Sequence, residues 1–171
     1  MNISSGGTGV VSTMSGGEQN IYSGGTGIVS TMSGGLQSLA SGGTGTISSL
    51  NGSGYQSIHG GTGTISTMSS GTQTVSSGGT GIIGTFINGR QNVTEGTGTI
   101  STMSGGTQNI YSGATGTVST LRYGGIQNVR NGGTGTISTM STGLQYIHSG
   151  GTGIVSTMMN GGYMNISSGG T

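Results

Sequence analysis

The chain has 171 residues, 43 of them glycine, with no proline or cysteine, and only 27% of it is hydrophobic, too little for an ordinary globular core. Three arginines face two glutamates, giving a formal net charge of +1. This excludes the clustered basic surface that nucleic acids need, a polybasic membrane anchor and a disulfide framework, and no apolar run is long enough to insert this segment in a bilayer as a helix.

Taken from its N-terminus, the chain is one unit repeated. The threonine of Gly-Gly-Thr-Gly sets the phase, at Thr8, Thr26, Thr44, Thr62, Thr80, Thr97, Thr115, Thr134, Thr152 and Thr171, mostly 18 residues apart. A fixed period of this length marks a solenoid. Each unit predicts a first short strand beginning at the threonine and a second around a glutamine, with Gly-Gly or similar turns between them. The irregularities fall in the predicted turns. Asn51-Gly52-Ser53-Gly54 carries an extra residue that the next turn gives back. Phe86-Ile87-Asn88-Gly89-Arg90 replaces the usual Met-Ser-Gly-Gly, and the step to Thr97 is short. Arg122-Tyr123-Gly124-Gly125 and Met159-Asn160-Gly161-Gly162 are each a residue longer. No linker divides the chain, so residues 1–171 are expected to be a single β-solenoid repeat domain of about nine coils. The closing Met164–Thr171 repeats the opening Met1–Thr8 residue for residue, which is expected of a piece of a longer repeat tract.

Three columns are apolar: Val11, Val29, Ile47, Ile65, Ile83, Ile100, Val118, Ile137 and Val155; then Met14, Met32, Leu50, Met68, Phe86, Met103, Leu121, Met140 and Met158; then Ile21, Leu39, Ile58, Val75, Val93, Ile110, Val129, Ile147 and Ile166. Strand alternation puts Gly9 and Val11 on one inward face and Gln19 and Ile21 on another. The glutamines Gln19, Gln37, Gln56, Gln73, Gln91, Gln108, Gln127 and Gln145 therefore point inward. A lone buried amide is costly, but amides stacked at a strand spacing of about 4.8 Å can donate to one neighbour and accept from the other. The expectation is a structural amide ladder, with Met1 and Met164 replacing glutamine at its edges. The opposite parity, including Thr8, position 10 and Ser12, should face water. The variable columns from Glu18 to Tyr163 and from Tyr22 to His148 should also lie outside.

Chemistry-bearing residues do not converge. His59 and His148 occupy equivalent places five coils apart, roughly 24 Å at the strand spacing, and read as surface residues. Glu18 and Glu95 are too far apart to act as paired carboxylates. Gly-Gly-Thr-Gly leads into a β-branched strand rather than a phosphate-binding helix. Where calcium rolls carry aspartate, this repeat has valine or isoleucine. The expectation is no enzyme, no metal and no cofactor. The outward threonines Thr8, Thr26, Thr44, Thr62, Thr80, Thr97, Thr115, Thr134 and Thr152 form a candidate interaction row. Threonine is an ordinary exposed strand residue, yet a flat Thr-x-Thr array also resembles the ice-binding face of several antifreeze solenoids. Position 10 is threonine at Thr46, Thr64, Thr99, Thr117 and Thr136, but Val10, Ile28, Ile82 and Ile154 elsewhere.

With the register set, Ser23 to Gly35 followed by Gln37 and Leu39, and again Ser104-Gly105-Gly106-Thr107-Gln108-Asn109-Ile110, resemble the passenger repeats of self-associating autotransporter adhesins of the AIDA-I and antigen 43 type. The resemblance spans essentially the whole chain. It departs in its usual period of 18 rather than 19 and in Gly9 and Gly27, where that family often has alanine. It implies a right-handed parallel β-helix on the surface of a Gram-negative bacterium or secreted, exported through an outer-membrane barrel. It also implies adhesion, aggregation and biofilm formation, with O-glycosylation of serine or threonine. The expected partner is another copy of the chain, laterally or end to end as in a self-assembling fibre, with a host surface or glycans as further partners.

Overall fold

Glycine turns at a fixed spacing fold the chain back on itself once per repeat, and the computed structural model describes the result for every residue from Met1 to Thr171. The long strands are Thr8–Met14, Thr26–Met32, Thr44–Leu50, Thr62–Met68, Thr80–Phe86, Thr97–Met103, Thr115–Leu121, Thr134–Met140 and Thr152–Met158. The short strands are Asn2–Ile3, Glu18–Ile21, Leu36–Leu39, Tyr55–His59, Thr72–Ser76, Arg90–Val93, Thr107–Ile110, Ile126–Val129, Leu144–Ile147 and Tyr163–Ile166. Each set forms one parallel sheet, nine-stranded and ten-stranded respectively, in which every strand but the end ones pairs with its equivalents in the coils before and after. Like residues stack on like: Thr62 on Thr80 on Thr97, and Gln73 on Gln91 on Gln108. The chain is an all-β solenoid of about 9 turns with ~18 residues per coil.

Alternation holds through the first half of each long strand and then breaks. In Thr62–Met68, Gly63, Ile65 and Met68 are buried, while Ser66 and Thr67 both face outward. Ser66 is skipped in the pairing register. Strict parity from Ile65 would send Thr67 inside and leave Met68 outside. The bend at the serine turns methionine inward instead. Burying methionine gains about 1.5–3 kcal/mol, whereas an unpaired threonine hydroxyl in its place would cost free energy.

The β-branched and methionine columns pack as one apolar strip. The third column forms a second. Between them lies a seam in which a glycine of the long strand faces the glutamine and aliphatic residue of the short strand. A Cβ on Gly81 would lie 2.4 Å from Val75 Cγ2 and 2.7 Å from Gln73 Oε1. An alanine at Gly81 would force these side chains aside, because glutamine and β-branched side chains already fill the seam. At the edges the columns are not buried as expected. Val11 and Val155 are only partly covered, and Met158 and Ile166 are 47% and 49% exposed, since no coil of this chain lies beyond them.

The turn after each short strand is short and specific. In Tyr22-Ser23-Gly24-Gly25, Gly25 N donates to Tyr22 O at 2.8 Å, and Gly24 has φ +73, the geometry of a type II turn that calls for glycine at its third position. The short step before Thr97 puts Glu95 in the left-handed region instead, at φ 55. Ser77, in the coil beneath, follows it at φ 54.

Candidate functional site

The inward glutamines are fully buried. Each amide nitrogen donates to the glutamine oxygen of the preceding coil: Gln37 to Gln19 at 2.8 Å, Gln56 to Gln37 at 2.7 Å, Gln73 to Gln56 at 2.7 Å, Gln91 to Gln73 at 2.6 Å, Gln108 to Gln91 at 2.7 Å, Gln127 to Gln108 at 2.7 Å and Gln145 to Gln127 at 2.6 Å. The second amide hydrogen crosses the core to a glycine carbonyl of the opposite sheet, as from Gln91 to Gly81 O at 3.3 Å and from Gln108 to Gly98 O at 3.1 Å. The ladder therefore ties each coil to the last and one sheet to the other. At one edge Gln19 Nε2 lies 3.9 Å from Met1 Sδ. At the other, Met164 stacks where the next glutamine would be, and Gln145 Oε1 is buried without a donor.

The outer face of the long-strand sheet carries only Thr, Ser, Val, Ile and Gly. Its threonine row runs in unbroken register from Thr8 through Thr152. Within that row only the Thr152 hydroxyl has a side-chain partner in the chain, Thr171 at 3.3 Å. The other hydroxyls point outward with hydrogen-bonding capacity to spare. At the usual strand dimensions the face measures roughly 43 Å by 23 Å.

Every tyrosine, histidine, arginine and glutamate lies on the short-strand face or in a turn. Asparagines form a second, external ladder: Asn20 donates to Asn2 at 3.2 Å, Asn109 to Asn92 at 2.9 Å and Asn128 to Asn109 at 3.0 Å. Tyr55 donates its hydroxyl to Thr74 at 2.7 Å. The Arg122 and Arg130 guanidinium groups sit 5.4 Å and 5.2 Å from the ring centres of Tyr123 and Tyr111.

His59 shares hydrogen bonds with Ser76 Oγ through Nδ1 at 2.6 Å and with Ser57 Oγ through Nε2 at 3.3 Å. His148 is five strands away in the same sheet. No three His, Cys, Asp or Glu side chains gather anywhere on the chain, and no pocket interrupts the surface. The recognisable sites are thus rows and faces. Sequence reading missed the asparagine ladder and the arginine–tyrosine stacks, although the signal was present. Asn92, Asn109 and Asn128 share one outward column, and Tyr111 and Arg130 share another in adjacent coils.

No family model matches the chain, and neither does a curated protein or a solved structure.

Proposed function

We propose that the chain is a structural and adhesive repeat region of a surface adhesin, in which the long-strand face of one copy meets that of another. The supporting observation is that face itself, with no charged residue and with rows of threonine hydroxyls left open. Two charged surfaces of like sign repel, but this one meets its copy without that cost. Its area of roughly 1,000 Å² is comparable with the ~800 Å² per partner of a standard protein interface. The stacked columns and the glutamine ladder give the stiffness a stalk needs. The resemblance to autotransporter passenger repeats agrees with a bacterial surface or secreted location and with aggregation or biofilm formation as the outcome.

Sedimentation over a range of concentrations tests this. The chain is expected to associate as concentration rises. Thr64→Glu combined with Thr99→Glu on the long-strand face should abolish association, while Thr72→Glu on the short-strand face should not. A wild-type chain that stays monomeric, or association indifferent to the long-face charges, would defeat the reading.

A second reading rests on the Thr-Gly-Thr strands alone. Thr97 with Thr99, Thr115 with Thr117, and Thr134 with Thr136 stack in three successive coils, spaced about 6.6 Å along the strand and 4.8 Å across it, a regular array suited to ordered water. It predicts thermal hysteresis and ice-crystal shaping by the monomer. An osmometer trace without hysteresis rejects it.

A further inference from the structure

The coil from Thr115 to Gly133 differs from the others. It holds two of the chain's three arginines, one on each side of the short strand Ile126–Val129. Both are exposed, and each guanidinium is held over a tyrosine, Arg122 over Tyr123 and Arg130 over Tyr111. No acidic side chain occurs from Gly96 onward; the nearest in the fold, Glu95, lies against Gly113, two coils from Arg130. Stacking on the ring occupies one face of the guanidinium and leaves its donor edge free.

The external asparagine ladder also stops in this coil. Asn128 donates to Asn109, but the next coil has Tyr146 in that register, so no asparagine amide follows to fill Asn128 Oδ1. The same surface therefore presents a free cationic fork, an outward amide oxygen and a half-exposed aromatic ring, with exposed His148 beside Arg130 in the next coil.

We propose that this part of the short-strand face binds an acidic polysaccharide. The Arg122 and Arg130 forks take sugar carboxylate or sulfate groups, as guanidinium does in bidentate pairs. Asn128 Oδ1 accepts from a sugar hydroxyl, and the Tyr146 ring packs against the apolar face of the pyranose. Each element alone is weak. A polymer that repeats its anion along the surface engages several at once. Nucleic acid is the less suitable anion, since two arginines on one coil do not track a phosphate backbone. The site lies on the face opposite the threonine rows, so it stands or falls independently of self-association.

The test measures binding of the immobilised full chain to polygalacturonate, dextran sulfate, neutral dextran and a single-stranded oligonucleotide at low salt. Binding to polygalacturonate or dextran sulfate, weakened by added salt, with none to dextran, supports the proposal and tells carboxylate from sulfate. The double variant Arg122→Gln, Arg130→Gln should lose roughly tenfold or more in affinity. Tyr146→Ser should also weaken binding, while Arg90→Gln, outside the patch, should match the parent. Circular dichroism checks that each variant keeps its strands. The proposal is overturned by equal binding to dextran or to the oligonucleotide, by no binding to either acidic polymer, by a loss in Arg90→Gln as large as in the double variant, or by an unchanged Tyr146→Ser.

Discussion

Replacing Gln91 by leucine in the middle of the amide ladder keeps the side-chain volume close and removes three hydrogen bonds: those to Gln73 Oε1 at 2.6 Å and Gly81 O at 3.3 Å, and the one received from Gln108 at 2.7 Å. It leaves Gln73 Oε1 buried with no donor. Gln108 keeps its bond to Gly98 O but has one amide hydrogen idle. Each of the two buried orphans costs about 1–3 kcal/mol, and the added apolar burial returns about 1–2 kcal/mol, so mid-range values leave a net loss of about 2–3 kcal/mol. The opposite change, Met164→Gln, adds a donor opposite Gln145 Oε1 and should stabilise the chain by about 1 kcal/mol. Urea unfolding followed by far-ultraviolet dichroism measures both. A Gln91→Leu variant within about 0.5 kcal/mol of the parent, the usual scatter of a neutral surface change, would refute the ladder as a source of stability. A Met164→Gln variant less stable than the parent would refute its extension.

Three further outcomes are expected. Gly81→Ala should cost about 1–3 kcal/mol by overpacking the seam, whereas Gly16→Ala, with nothing within 4 Å of its added Cβ, should change stability by no more than about 0.5 kcal/mol; paired urea titrations compare them. Glu95→Gly should relieve the left-handed strain and raise stability by about 1 kcal/mol, read from the shift in unfolding midpoint. Phe86→Ala should be the most damaging core truncation, at about 3–5 kcal/mol, because Phe86 is fully buried between Met68 and Met103 in register; loss of cooperative unfolding by hydrogen exchange would show the same break locally.

The repeat made most of the fold legible. Thr8 through Thr152 set the phase, alternation placed Val29 with Gly27 and Leu39 with Gln37 inside, and the costly burial of an amide foretold the bonds from one glutamine to the next. The bend at Ser66 was not legible, since periodicity alone cannot say which of two adjacent residues a strand will skip. The cross-core bonds to glycine carbonyls were hidden as well, because they depend on how closely two sheets approach. Of the surface, the threonine rows could be read directly. The patch at Arg130 and Tyr146 was harder to read, because its residues come from two different columns in successive coils, and only their packing brings them together.

The glutamine side chains all point the same way, each N–H toward the coil before it. Backbone bonds in a parallel sheet run in both senses and largely cancel along the axis, but the side-chain amides do not. If each carries a moment like that of a peptide unit, about 3.5 D, the aligned column makes the rod an axial electret of roughly 28 D. Its positive pole lies toward Met1 and its negative pole at Gln145. Such a rod should turn in an electric field, which transient birefringence detects, and each further coil bearing an aligned glutamine would lengthen the rod and deepen its polarity together.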